Sequence, residues 1–191
     1  MTDTLLSEET LKQIASHYKA IIELLGEDPE REGLLKTPER AAKSIAFATR
    51  GYRQNIDSVI NDALFQSSDS GIIIVKNIEF YSLCEHHLLP FFGTVSMGYL
   101  PGEKIVGLSK IARIVDMFAR RLQVQERLTD ELAQVLTEKL GARGVIVRAE
   151  ARHLCMAMRG VEKQESSTVT FASTGEFAVS SSLRSEFFSL L

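Results

Sequence analysis

Three of the chain's four histidines and both of its cysteines fall in two short segments, Cys84-Glu85-His86-His87 and His153-Leu154-Cys155. A C-x-x-H spacing lets one turn direct a thiolate and an imidazole at a single ion. Residues two apart on a strand project from one face, so His153 and Cys155 can do the same at the end of the apolar run from Val145 to Ala151. Two thiolates and one neutral imidazole cancel the charge of Zn²⁺ and leave a fourth position for water, the pattern of a catalytic site. The remaining histidines are then free for acid–base work. A fourth side chain, His86 or His153, would instead close the site as a structural one. Two unrelated buried thiols beside satisfied histidines are the plainer alternative.

Two further clusters invite a ligand. In Ser109-Lys110-x-x-Arg113 a capping serine precedes two cations three residues apart, which share one helical face near its N-terminus. Backbone N–H groups, the helix dipole and both cations favour a phosphate there. Gln125-Glu126-Arg127 precedes a helix; taken alone, such a run is a solvated face or a partner for the dipole.

Elements of two kinds must position these groups. Leu11, Ile14, Tyr18, Ile21, Ile22 and Leu25 have helical spacing from Glu8 to Leu25, and Gly26 stops the helix. Thr37-Pro38 reads as an N-cap with proline at N1, opening a helix that ends near Gly51, with a shorter helix over Ile56 to Leu64. Strands are predicted for Ile72 to Tyr81, Phe91 to Leu100, Val145 to Cys155 and Ser166 to Ala172. Between the two strand pairs lie helices from Ser109 to Arg121 and Arg127 to Leu140, the second stopped by Gly141. Ser182 to Leu191 reads as a short terminal helix. The fold class is α+β, ββααββ behind a helical arm. The polar stretch Ser67 to Gly71 divides a helical arm, residues 1–66, from a domain of different character, residues 72–191.

At 191 residues, with 45% hydrophobic and 25% charged residues, the chain can bury a core without disulfides. A formal charge of -3 offers no general attraction to nucleic acid or an anionic membrane, so an anionic ligand must meet a local basic cluster. Asp3, Glu8, Glu9 and Lys12 interrupt the first apolar pieces and no later run reaches spanning length, so a cytoplasmic protein is expected. Two widely separated cysteines in a reducing compartment read as metal ligands or buried thiols.

Four segments together carry a resemblance: Cys84 to Pro90, Gly107 to Arg113, Gln123 to Thr129 and His153 to Gly160. In order and spacing they resemble the signature segments of the GTP cyclohydrolase I family. The likeness runs from the Thr37-Pro38-Glu39-Arg40 helix to the C-terminus; Leu122, where some members carry proline, touches no functional position. The resemblance implies a tunnelling fold, in which antiparallel sheets of several subunits join into a barrel with active sites at subunit boundaries, and a homo-oligomer, a decamer on the family pattern. Such joining would also remove unpaired sheet edges.

The resemblance further implies that Cys84, His87 and Cys155 hold zinc, with His86 and His153 as the acid–base pair and Ser109 assisting. Zinc would activate water for addition at guanine C8, and His86 would protonate N7. Release of formate and rearrangement would yield 7,8-dihydroneopterin triphosphate, the first step of folate or tetrahydropterin synthesis. Glu126 would read guanine, whose N1–H and N2–H₂ donate side by side to one carboxylate. Gln125 would add a contact to the base. Lys110, Arg113, Arg159 and, from a neighbouring subunit, Arg40 would hold the triphosphate. Alternatives are another tunnelling-fold pterin or deazaguanine enzyme, which would lack this cysteine–histidine set, or a catalytically silent zinc or nucleotide-binding module.

Overall fold

The computed structural model describes residues 6–61, 63–68 and 71–191. Of the expected linker from Ser67 to Gly71, Asp69 and Ser70 lie outside the described residues. Helix α1 (Glu8–Leu24) buries none of its residues fully and packs against α2 (Thr37–Ala48). Lys36, not Thr37, is the N-cap of α2. Thr37 is the first helical residue and its Oγ1 donates back to Gly33 O at 3.4 Å, while Pro38 falls in the first turn, where its missing N–H costs nothing.

A 3₁₀ turn, Arg50–Arg53, then docks on α4 (Leu108–Ala119). Gly51 N donates to Arg120 O at 2.9 Å. A Cβ on Gly51 would stand 1.9 Å from Met117 O, so only glycine permits this approach. Helix α3 (Ile56–Ile60) is shorter than expected. Asn61 leaves it with φ 48°, and Leu64–Gln66 forms β1, which pairs antiparallel with β4 (Lys104–Val106).

The main sheet contains β2 (Ile73–Cys84), β3 (Pro90–Leu100), β5 (Leu122–Gln123), β6 (Gly144–His153) and β7 (Thr168–Ser173). Their spatial order is β5-β2-β3-β6-β7, antiparallel except for the short β2–β5 pair. Helices α4 (Leu108–Ala119) and α5 (Gln125–Leu140) lie between the two strand pairs in sequence and cover one face. Ile111, Ile114, Val115 and Phe118 of α4 and Leu128, Leu132, Leu136 and Leu140 of α5 are buried at helical spacing. They pack on Phe80, Phe91, Val95, Met97, Val145, Val147 and Ala149 from the sheet. Gly141 ends α5 in the left-handed conformation, φ 58°.

The opposite face carries a smaller core of Leu100, Ile146, Phe177 and Phe187. Phe177 and Phe187 belong to α7 (Gly175–Val179) and α8 (Ser181–Ser189), the first of which the sequence reading did not foresee. Beyond its pairing with β6, β7 has no second neighbour among the described residues, and its Val169 and Phe171 are exposed.

Candidate metal centre and its surroundings

Strand β2 runs further than expected and ends on Cys84 itself. The chain then folds back: His87 N and Leu88 N donate to Cys84 O at 3.2 and 2.8 Å, and Cys84 N donates to Leu89 O at 2.9 Å. Leu88 closes this turn with φ 55°, a conformation that L side chains adopt reluctantly, and Pro90 starts β3. The turn brings Cys84 Sγ to 3.6 Å from His87 Nδ1.

Cys155 arrives by a different local structure from the one expected. Strand β6 stops at His153, and Leu154–Ala157 forms a helical turn, α6, that swings Cys155 into place. Strand alternation therefore does not explain its position. The ligand atoms of Cys84, His87 and Cys155 all lie within 4.8 Å of one another. Both cysteines are buried and His87 is exposed, so the cluster opens to solvent on the histidine side. Burial pushes the Cys155 thiol up, and the adjacent Cys84 adds to the effect, as two sulfurs resist ionising together. A soft N/S donor set at this spacing fits a zinc-like ion, which would favour the thiolate forms.

Several backbone and side-chain ties hold the turn. Cys84 pairs with Gln123 of β5, and Glu85 N donates to Gln123 O at 3.0 Å. Gln123 is 1% exposed and anchors through Nε2 to Glu131 Oε2 at 2.7 Å. Arg127 donates to both carboxylate oxygens of Glu85 at 2.6 and 2.9 Å. That guanidinium holds the Glu85 carboxyl below the usual carboxylate range. His86 is exposed, with Nε2 3.8 Å from Glu85 Oε1.

His153 is half-buried at the end of β6, directly across from Phe91 on β3. Its ring lies on the Phe91 ring, centroids 4.6 Å apart and planes inclined by 2°. Its Nε2 is 2.8 Å from Gln125 Oε1. Burial pushes the imidazole below its ordinary value, partly opposed by the charge of Glu126. Gln125 and Glu126 form the first turn of α5, which starts two residues earlier than expected; Gln125 points inward and Glu126 is exposed.

The remaining residues lie on other elements, and the charge of Arg159 acts on the Cys155 thiol. Gly107 is the N-cap of α4 and makes no side-chain cap, so Ser109 is the second helical residue rather than the cap. Ser109 and Arg113 are exposed and Lys110 is half-buried. Arg159 is exposed beyond α6, and Arg40 is exposed on α2, in the helical arm. Sequence spacing assigns Phe91, Gln123 and Glu85 no role, and Arg127 only a place in the polar run before a helix. Only the cross-strand register and the turn reveal their contacts.

The family profile described as GTP cyclohydrolase I matches residues 14–191. "GTP cyclohydrolase 1" of Campylobacter jejuni subsp. jejuni serotype O:6 is 54% identical over 180 residues, covering 94% of this chain and 95% of that protein. "GTP cyclohydrolase 1 2" of Pseudomonas aeruginosa is 53% identical over 178 residues, covering 93% and 98%. Among solved structures, the apo form of the archaeosine synthase QueF-Like is similar with a TM-score of 0.45 and 18% identity, over 57% of this chain and 97% of that one. A profile that spans nearly the whole chain, with relatives more than half identical over nearly their full length, means that the chain belongs to the GTP cyclohydrolase I family.

Proposed function

We propose that the chain is a zinc-dependent hydrolase that opens the imidazole ring of GTP at guanine C8, releases formate and forms 7,8-dihydroneopterin triphosphate. The observation that carries this reading is the convergence of Cys84, His87 and Cys155 beside a second, ordered histidine, His153. Those three would hold the zinc, which when bound supplies Lewis-acid activation of water. His86, exposed at the open side of the cluster, delivers a proton to N7 of the base, so that C8 becomes electrophilic. Glu126 accepts from guanine N1–H and N2–H₂ together, a pair that adenine does not present. Lys110, Arg113 and Arg159 neutralise the triphosphate, with Arg40 supplied by a neighbouring subunit. His153 and Ser109 move protons in the later rearrangement of the ribose.

The assembly is a ring-shaped homo-oligomer, a decamer on the family pattern, in which sheet edges of adjacent subunits join. The exposed edge strand β7 supports this, because an unpaired apolar edge is a liability for a free monomer. Residues 1–66 serve as the arm and 72–191 as the catalytic domain. The product enters folate or tetrahydropterin synthesis in the cytoplasm. No helix among the described residues is long and apolar enough to cross a membrane. The direct test incubates purified protein with GTP and measures formate together with a fluorescent oxidised pterin. Production of neither would refute the reading.

A further inference from the structure

Gln125 is 1% exposed and every polar atom of its side chain is engaged. Nε2 donates to Ala149 O of β6 at 3.1 Å and to Thr168 O of β7 at 2.9 Å. The reverse amide orientation would set Oε1 against two carbonyl oxygens, all acceptors, so the orientation is determined by chemistry. Oε1 then faces His153 Nε2 at 2.8 Å and can only accept. Nε2 must therefore carry the proton. A neutral imidazole has one N–H, which leaves the lone pair on Nδ1. The Phe91 ring, 4.6 Å away and nearly parallel, restrains the remaining tilt of the imidazole.

We propose that Gln125 is a positioning residue, which fixes His153 in one orientation and as the Nε2–H tautomer, so that His153 accepts protons at Nδ1. Gln125 does not read the base. Both of its N–H donors are used on Ala149 and Thr168, and its Oε1, bonded to His153 Nε2, is too deeply buried at 1% exposure for guanine to reach it. The same side chain links the first turn of α5 to the β6–β7 pair, so the helix start that presents Glu126 and the strand end that presents His153 move as one piece. This inference rests on the reading of His153 as an acid–base group, but the tautomer can be measured independently of turnover.

The test uses the zinc-loaded protein labelled with ¹⁵N-histidine, with His153 assigned by comparison with His153→Gln. Long-range ¹H–¹⁵N correlation at neutral pH should show a protonated Nε2 and an unprotonated Nδ1 for His153. In Gln125→Met, which keeps length but removes donor and acceptor, that pattern should give way to mixed tautomers. Its kcat should fall about 10- to 100-fold, the cost of a misplaced catalytic group, with KM for GTP unchanged. An Nδ1–H tautomer in the wild type overturns the proposal, whether or not the variant folds. So does a Gln125→Met protein whose KM rises while kcat is kept, since that is the behaviour of a base contact. Full activity in His153→Ala would remove His153 from the reaction, and with it the catalytic consequence, while the tautomer measurement would still report on the Gln125 contact alone.

Discussion

Arg127 grips Glu85 through both carboxylate oxygens, at 2.6 and 2.9 Å, and so ties the first turn of α5 to the residue between Cys84 and His86. The pair is partly exposed, at 44% and 30% for the two side chains, so its worth to global stability is small. Its effect is local. Arg127→Ala should leave the melting temperature nearly unchanged but speed loss of metal to a chromophoric chelator, by about 10-fold if it acts as outer-shell partners do. An unchanged release rate would show that the turn holds its shape without the pair.

Metal content should separate the histidines. Cys84→Ala, His87→Ala and Cys155→Ala should each lose the single bound zinc and all activity, as measured by atomic absorption on dialysed protein. His86→Ala should keep the zinc and lose turnover. Full occupancy in Cys155→Ala would break the assignment, and metal loss in His86→Ala would mean that the two histidines exchange roles.

Glu126→Gln replaces one acceptor by a donor that faces guanine's donors. Its kcat/KM for GTP should drop by about four orders of magnitude, as in sites built to hydrogen-bond a substrate N–H. Equal turnover of GTP and an adenine analogue by the wild type would contradict the assignment.

Sharing of sites between subunits can be tested by complementation. Arg40→Ala and His86→Ala, each inactive alone, should recover part of the activity when coassembled, because some sites then receive both intact groups. A fully active monomer by light scattering would exclude shared sites.

Gly93 offers a structural check. It pairs with Ala151 between β3 and β6, and a Cβ there would meet Glu150 O at 1.9 Å. Gly93→Ala should cost about 3 kcal/mol in denaturant unfolding, the upper range for overpacking. It should also weaken metal binding, since β6 leads directly to Cys155.

Periodicity made the long elements legible. Leu128, Leu132, Leu136 and Leu140 mark α5 and Gly141 its end, while Val145, Val147, Ala149 and Ala151 mark β6. Strands β1, β4 and β5, two or three residues each, are too short to carry a period. Ser109 and Thr37 resemble caps by type, but both helices start earlier, because Gly107 and Lys36 occupy the non-helical positions. The convergence of Cys84, His87 and Cys155 was legible from C-x-x-H and H-x-C, although the second half works through the helical turn α6 and not through strand alternation. The stacking of His153 on Phe91 depends on the β3–β6 register, and the inward direction of Gln125 on where α5 begins. Neither follows from local sequence.

Cys84 and Cys155 are 71 residues apart in the chain yet close one cluster. At about 5–20 residues per second, synthesis separates their emergence by roughly 4 to 14 s. Throughout that interval Cys84 and His87 have no third partner, because α6 has not been made and β6 has not yet paired with β3. A two-donor turn binds ions weakly and with little selectivity, so on the proposed zinc reading the choice of metal would wait until the sheet is complete. If the cluster holds the zinc proposed for it, maturation runs in a set order, polypeptide architecture first and ion second, with metal identity decided by a finished framework rather than by a nascent peptide.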